Sequence, residues 1–550
     1  MKGLELLGLN KTLVNCTICF FLGLVPISAM GQSLPHTFSA NTAAKASEVN
    51  ENFTYLLERF GGIRETTVNC GTSGSGSGIN SAIQNGYNSI VINGICKENI
   101  KLDGTEGNIP RLLKLRGANN DASQDKIIDN SSYTEHVLTF SHAGGLLVTI
   151  DNLTISGGDR GITTWMNVNL LIRNSKVEGY KNRGITLQGN SVMQGENLTI
   201  DGSYSGATTE EQGLRMWGGA LAYIEENLTI TNNQKYGLTM WLSDIEVDGN
   251  VTLTGNGRAI NVYDGAVFSS AANITISGST DKAINVRQGH FHKWDGTISI
   301  TNTPGNNFHA WMSNIKINNL TATGDGSTEE SLVVINQSSS IFETLNISNS
   351  GKNGIESDSA IIYVDNLTAK NNKGDGIDAS RTNLTVNNST IAENDGKGIV
   401  LHNVSNLTLN SSIVSSTNDI SIFASRGSFF DVKGTSVISS TNKEAIKIDH
   451  NSSGRIQSGA NVTSTASNNG WGVWIRKGGL IEINSGSTIA GNSSAESING
   501  ELGAKIDIDY GATVQSVLCG NDNQTMVILN GSSGNYPTPT IGSNCITVKY

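Results

Sequence analysis

Apolar and polar residues alternate with period two along most of this chain, in short runs broken by Gly, Asn and Asp. The run "GENLTIDGS" (Gly195–Ser203) is followed by "EENLTITNN" (Glu225–Asn233), and versions of the phrase begin at Asp151, Gly249, Ala272, Asn318, Asp365 and Ser405. Such alternation puts successive side chains on opposite faces, so each run predicts a short strand. Asn227, Asn250 and Asn273 are 23 residues apart, as are Asn383 and Asn406. A small residue before an aliphatic, as in "RGI", sets a second ruler at Gly161, Gly184, Gly213, Gly237, Ala259, Ala283, Gly354, Gly376, Gly398, Ala445 and Gly472. Its single steps are mostly 22 to 24 residues, and the longer step to Gly213 carries the insertion "SGATTEEQ". Fixed periods of this size predict a stacked solenoid. The Leu-x-x-Leu-x-Leu frame of leucine-rich repeats is absent. The expected fold is all-β, a right-handed parallel β-helix with coils about 4.8 Å apart. In "NLTI" the aliphatics point inward and Thr outward. Asn tolerates the left-handed backbone of a tight turn, and its amide suits the Asn one coil away. The Asn-x-Ser/Thr triplets therefore read as turn-and-strand grammar rather than as glycosylation signals.

The same alternation assigns faces. With the small residue as origin, the first and third following positions point inward and the second and fourth outward. The fourth column reads Trp165, Gln188, Trp217, Trp241, Tyr263, Arg287 and Trp311, with Asn307 in the small-residue place, then Asp358, Ser380, His402, Phe423, Asp449 and Arg476. The second column reads Thr163, Thr186, Arg215, Thr239, Asn261, Asn285 and His309, then Glu356, Asp378, Val400, Ser421, Lys447 and Trp474. Four of the seven tryptophans thus share one outward column. Contiguous exposed aromatics usually bind something, and flat rings one coil apart suit pyranose faces. Trp165, Trp217, Trp241, Tyr263 and Trp311 form the expected platform. Arg215, Arg287 and His309 beside it suit carboxylates or sulfates. The competing expectation is that lateral loops cover the rings.

Glu356, Asp358 and Asp378 form an outward acidic cluster on neighbouring coils, suited to a cation such as calcium or to acid–base work. The competing expectation is a solvated strand face. In "GHFHKWD" (Gly289–Asp295) the His-x-His spacing lacks a third metal ligand and reads as a loop.

Composition narrows the picture. With 63 glycines and only 6 prolines the chain suits short strands and many turns, with little helix. A net charge of −11 with dispersed Lys and Arg argues against nucleic acid as a partner. Lys2 and Lys11, the apolar stretch "CFFLGLVPISA" and the small residues Ala29 and Gly31 read as a secretory signal peptide over 1–31. The apolar run falls short of the roughly 20 residues a membrane span needs. A secreted or cell-surface location is expected, with the periplasm as the other compartment. Residues 32–65 read as a helical leader whose Val49, Phe53, Leu56 and Leu57 share a face, either covering the open lower end of the solenoid or trimerising an otherwise monomeric chain through residues 37–60. Past residue 31 four cysteines remain, Cys70, Cys96, Cys519 and Cys545, each pair 26 apart. That is about one coil, so Cys70–Cys96 and Cys519–Cys545 disulfides are expected.

Over about residues 66–550 the chain resembles the pectate-lyase-like right-handed β-helix superfamily. "TVNCGTSGSGSGINSAIQNGYNSIVINGICKENIKL" (Thr67–Leu102) is similar to the start of many such bacterial proteins: a strand, a short capping helix, then Gly-x-Cys. "LLKLRGANNDASQDKIIDNSSYTEHVLTFSHAGGLLVTIDNLTISGG" is similar to their first complete coils. The resemblance implies the fold strongly and function weakly, because lyases, hydrolases, epimerases, adhesins and phage spikes share it. A lyase of this superfamily uses calcium-binding acids with an Arg or Lys base, and a hydrolase uses paired carboxylates. The Trp-Ile-Asp-His, Asn-Thr-Asp and Gly-His-Gly signatures are absent. The expectation is therefore a protein that binds an extended, acidic or sulfated polysaccharide on its aromatic face. The alternatives are a lyase or hydrolase on the same face, or a non-catalytic adhesin or structural protein.

Overall fold

The computed structural model describes residues 62–550 except 104–110, 142–144, 205, 207–208, 328–329, 468–469, 493–495, 521–523 and 532–538. The signal-peptide expectation and residues 37–60 of the leader lie outside the described residues. The compact unit Glu65–Tyr550 is a right-handed parallel β-helix. Among the described residues one ladder of 19 strands runs along it, each strand between its two ends paired in parallel with those one coil before and after. The other 32 strands form the remaining wall, and a strand such as Val168–Glu178 passes through a bend within it, at Asn174 in the left-handed region (φ 47°).

Ile162, Ile185, Leu214, Leu238, Ile260 and Ile284 pair strand to strand in one column, all buried. The small residue before them has a steric cause. A Cβ on Gly161 would lie 2.4 Å from Val177 Cγ1, and one on Gly184 2.6 Å from Ile200 Cγ2. The backbone turns there so that this residue and the next aliphatic both face the core, leaving space for Gly or Ala. Two parts of the expected columns need correction. Phe423 pairs with Val400 and Lys447, so it stands in the second column, not the fourth. Ser421 holds the small-residue place there, and buried Ile420 and Ile422 offer two aliphatics at the same spacing. The rulers also passed over the coil Val333–Asn336, where buried Leu332 fills that place.

Asparagine ladders cross the coils as the repeated phrase predicts. Asn197 donates to Asn174 Oδ1 at 3.2 Å, Asn227 to Asn197 Oδ1 at 2.9 Å, and Asn406 to Asn383 Oδ1 at 2.8 Å. Asn152 and Asn197 are left-handed (φ 53° and 48°). Inside the turn that follows the phrase, buried Asn372 donates to Asn394 Oδ1 at 2.8 Å. The helix Ile79–Gln84 has no side-chain cap of its own. Instead the Glu98 carboxylate accepts from the backbone N–H of Gly78, Ile79 and Asn80 at 2.9, 2.8 and 2.9 Å. Cys70–Cys96 is a disulfide between neighbouring strands, and Cys519–Cys545 joins a strand end to the residue just before the strand Ile546–Lys549, with Cα atoms 5.0 and 5.3 Å apart.

Candidate functional site: an aromatic row on the outer face

The outward side of the 19-strand ladder carries the row. Pairing sets Trp217 beside Trp241, Trp241 beside Tyr263, Tyr263 beside Arg287 and Arg287 beside Trp311. Trp165 lies at its beginning and is 38% exposed, and Trp217 is 43% exposed. Trp241, Tyr263 and Trp311 are half-buried, and Gln188 between the first two tryptophans is buried. The Trp241 and Tyr263 rings stack at 5.3 Å between centroids, 18° from parallel. Arg215 extends its guanidinium over both Trp217 and Trp241, at 5.8 and 5.4 Å, and Arg287 lies over Trp311 at 4.4 Å. Such cation–π contacts hold rings and cations upright without enclosing them.

Beside the rings the second column forms a polar chain. Tyr263 OH donates to Asn261 Oδ1 at 2.9 Å, and Asn285 Nδ2 donates to Asn261 Oδ1 and Tyr263 OH, both at 3.1 Å. His309 Nδ1 lies 2.9 Å from Asn285 Oδ1, which can only accept, so Nδ1 carries the proton. Burial, then the charges of Lys282 and Arg258, push His309 down to about 4. It is therefore neutral at neutral pH: a polar contact, not the cation that its place beside Arg215 and Arg287 implied.

Two sets of residues on this face escaped the column reading. Met166, Leu242 and Met312 each follow a tryptophan of the row, and are 58%, 64% and 46% exposed. All three are left-handed, at φ 52°, 45° and 50°, which is unusual for bulky apolar residues. The recurring Trp-Met and Trp-Leu pairs were the signal. Arg160 and Arg183, the arginines of "RGI", also face outward and pair across neighbouring strands.

The acidic residues lie further along the same face. Glu356 and Asp378 are paired on adjacent strands, and Asp358 pairs with Ser380. Each acid has its own basic neighbour. Glu356 contacts Lys352 Nζ at 2.8 Å, Asp358 contacts Arg381 Nη2 at 2.5 Å, and Asp378 lies 3.9 Å from His402 Nε2. Burial raises Glu356, but the hydrogen bonds from Lys352 and Ser331 outweigh it and hold the carboxyl low. Burial keeps Asp378 high, against the pull of His402. Among the described residues no group of three or more His, Cys, Asp or Glu is gathered to hold a metal ion. Beyond the acids a pocket of about 330 Å³ is lined by His402, Asn403, Phe423, Ser425, Arg426 and His450.

Residues 306–453 match the family described as "Right handed beta helix region". Among solved structures the chain is similar to the A-module of the Azotobacter vinelandii mannuronan C-5 epimerase AlgE4, with 13% identity, 74% of this chain and 90% of that chain covered, and a TM-score of 0.19. The A-module of AlgE6 from the same organism gives 12% identity, 86% and 93% coverage, and a TM-score of 0.18. No curated protein matches the sequence.

Proposed function

We propose that this protein is secreted and binds an extended polysaccharide lengthwise along the row from Trp165 to Trp311. The observation that carries the reading is five rings in one register-locked column, two exposed and three half-buried, edged by Met166, Leu242 and Met312. Apolar C–H faces of sugars stack on such rings, and backbone strain at the edge is the kind of feature that function retains. Two disulfides fit an oxidising compartment. Among the described residues no helix is long and apolar enough to cross a membrane. The test is Trp241→Ala. Affinity for the bound glycan should fall by about 1–2 kcal/mol, roughly tenfold, with thermal stability little changed. A melted variant, or tryptophan fluorescence that no glycan shields from an aqueous quencher, would overturn the reading.

One observation favours a catalytic version. Glu356 and Asp378 are adjacent carboxyls whose surroundings pull them apart, one held low and one high, the arrangement of a base and an acid. Glycan incubated with the protein should then yield new reducing or unsaturated ends, and Glu356→Gln with Asp378→Asn should abolish them. Binding without products leaves the non-catalytic reading, and neither binding nor products points to a structural or adhesive protein.

A further inference from the structure

Three arginines converge at the beginning of the aromatic row. Arg160, Arg183 and Arg215 lie on three successive strands, Arg160–Trp165, Arg183–Gln188 and Gln212–Trp217. Arg160 is paired directly with Arg183, and Arg215 with Thr186. Neighbouring strands are only about 4.8 Å apart, so three like charges share one short stretch of surface. Arg160 has Asp159 at 3.6 Å. Among the described residues Arg183 and Arg215 have no carboxylate within ion-pair distance, and nearby Glu210 is engaged by Lys235. The Nε atoms of all three arginines are buried without a hydrogen-bond partner. Burial, then the charges of Arg160 and Arg215, bring Arg183 down to about 10.

The column that holds Arg215 carries further unpartnered polar groups. Thr163, Thr186 and Thr239 are completely buried although they occupy the outward column, and no Oγ1 of the three has a partner. Crowded like charges cost free energy, and an oxyanion accepting from the guanidinium groups relieves them. We infer that Arg160, Arg183 and Arg215 form an oxyanion subsite that takes a carboxylate or sulfate group of the polysaccharide. The inference rests on the polysaccharide reading for the rest of the ligand. It makes the ligand a polyanion and places one of its charged groups between Trp165 and Trp217.

The experiment compares matched glycans: polygalacturonate with its methyl ester, and dextran sulfate with dextran. The parent protein should bind the charged member of a pair more tightly, with affinity that falls as salt rises. An Arg183→Gln, Arg215→Gln double variant should lose at least tenfold toward the charged member and show a shallower salt dependence, and an Arg183→Gln single variant, which spares the contacts of Arg215 with the rings, should leave the uncharged member unchanged. Polygalacturonate preferred over dextran sulfate assigns a carboxylate, and the reverse a sulfate. Trp241→Ala should weaken both members, so loss confined to one variant separates the two proposals. Inorganic sulfate tests the subsite without a glycan. At matched ionic strength it should raise the melting temperature of the parent more than that of the double variant, which should melt no lower than the parent. Equal charged-glycan affinity in parent and variant, equal sulfate shifts, or a variant that melts lower because its arginines serve structure would each overturn the inference.

Discussion

At the residue scale, two buried ionisable side chains set opposite pH dependences. Lys293 lies wholly inside the solenoid, with no partner for Nζ, and burial brings it from 10.5 down to about 8. Below about 8 both folded and unfolded chains carry the charge, and the folded chain bears the full cost of burying it; the cost fades as pH rises from 8 towards 10.5. Lys293→Met should stabilise the protein at neutral pH by about 2–4 kcal/mol and remove that alkaline rise, both readable from melts across pH. Glu211 is also fully buried, accepts from Gln234 N–H, and burial raises it from 4.5 to about 8. Its folded form favours the proton, so stability is whole below 4.5 and declines as pH rises through 8. Glu211→Gln should flatten that decline, and an unchanged slope would place the carboxyl in water. The sequence told little of either. Lys293 sits in "GHFHKWD", which reads from sequence as a loop; the structure makes it part of the strand His290–Thr301, where pairing with both neighbouring coils turns Lys293 inward.

At the scale of elements, legibility followed periodicity. The strand–helix–strand opening, both disulfides and the inward aliphatic column were readable because each repeats or is spaced by one coil. The slip at Phe423 came where Ser replaced Gly or Ala and two aliphatics competed for one place. The cap of helix Ile79–Gln84 was invisible for a different reason. Its acceptor Glu98 lies after the next strand, and no local motif announces a cap so far along the chain. Glu98→Ala should leave three helix-end donors unpaired, at a cost of about 1–3 kcal/mol. Hydrogen exchange should quicken at Gly78, Ile79 and Asn80 first. Uniform quickening along the solenoid would instead show that the cap holds the whole stack.

At the scale of the whole molecule, the repeat turns a single side chain into a line. One outward position per coil became a row because every coil keeps the same register, and that row was legible from spacing alone. The contacts within it were not. Nothing in the spacing shows that Arg215 lies over two rings, that His309 is neutral, or that three threonines of the outward column are buried. These depend on how long side chains lean across neighbouring coils. The line has a testable consequence. Trp165, Trp217, Trp241, Tyr263 and Trp311 belong to a continuous run of seven paired strands. At the spacing of a sheet that run extends about 30 Å. Affinity should therefore climb with oligosaccharide length while new units reach new rings, and level off once the chain spans the row. Calorimetry over an oligomer series reads this directly. Trp311→Ala should then weaken only the longer oligomers if the ligand's anion is anchored at Arg183. Affinity independent of length would mean a local pocket binds the ligand, and would remove the row as the binding surface.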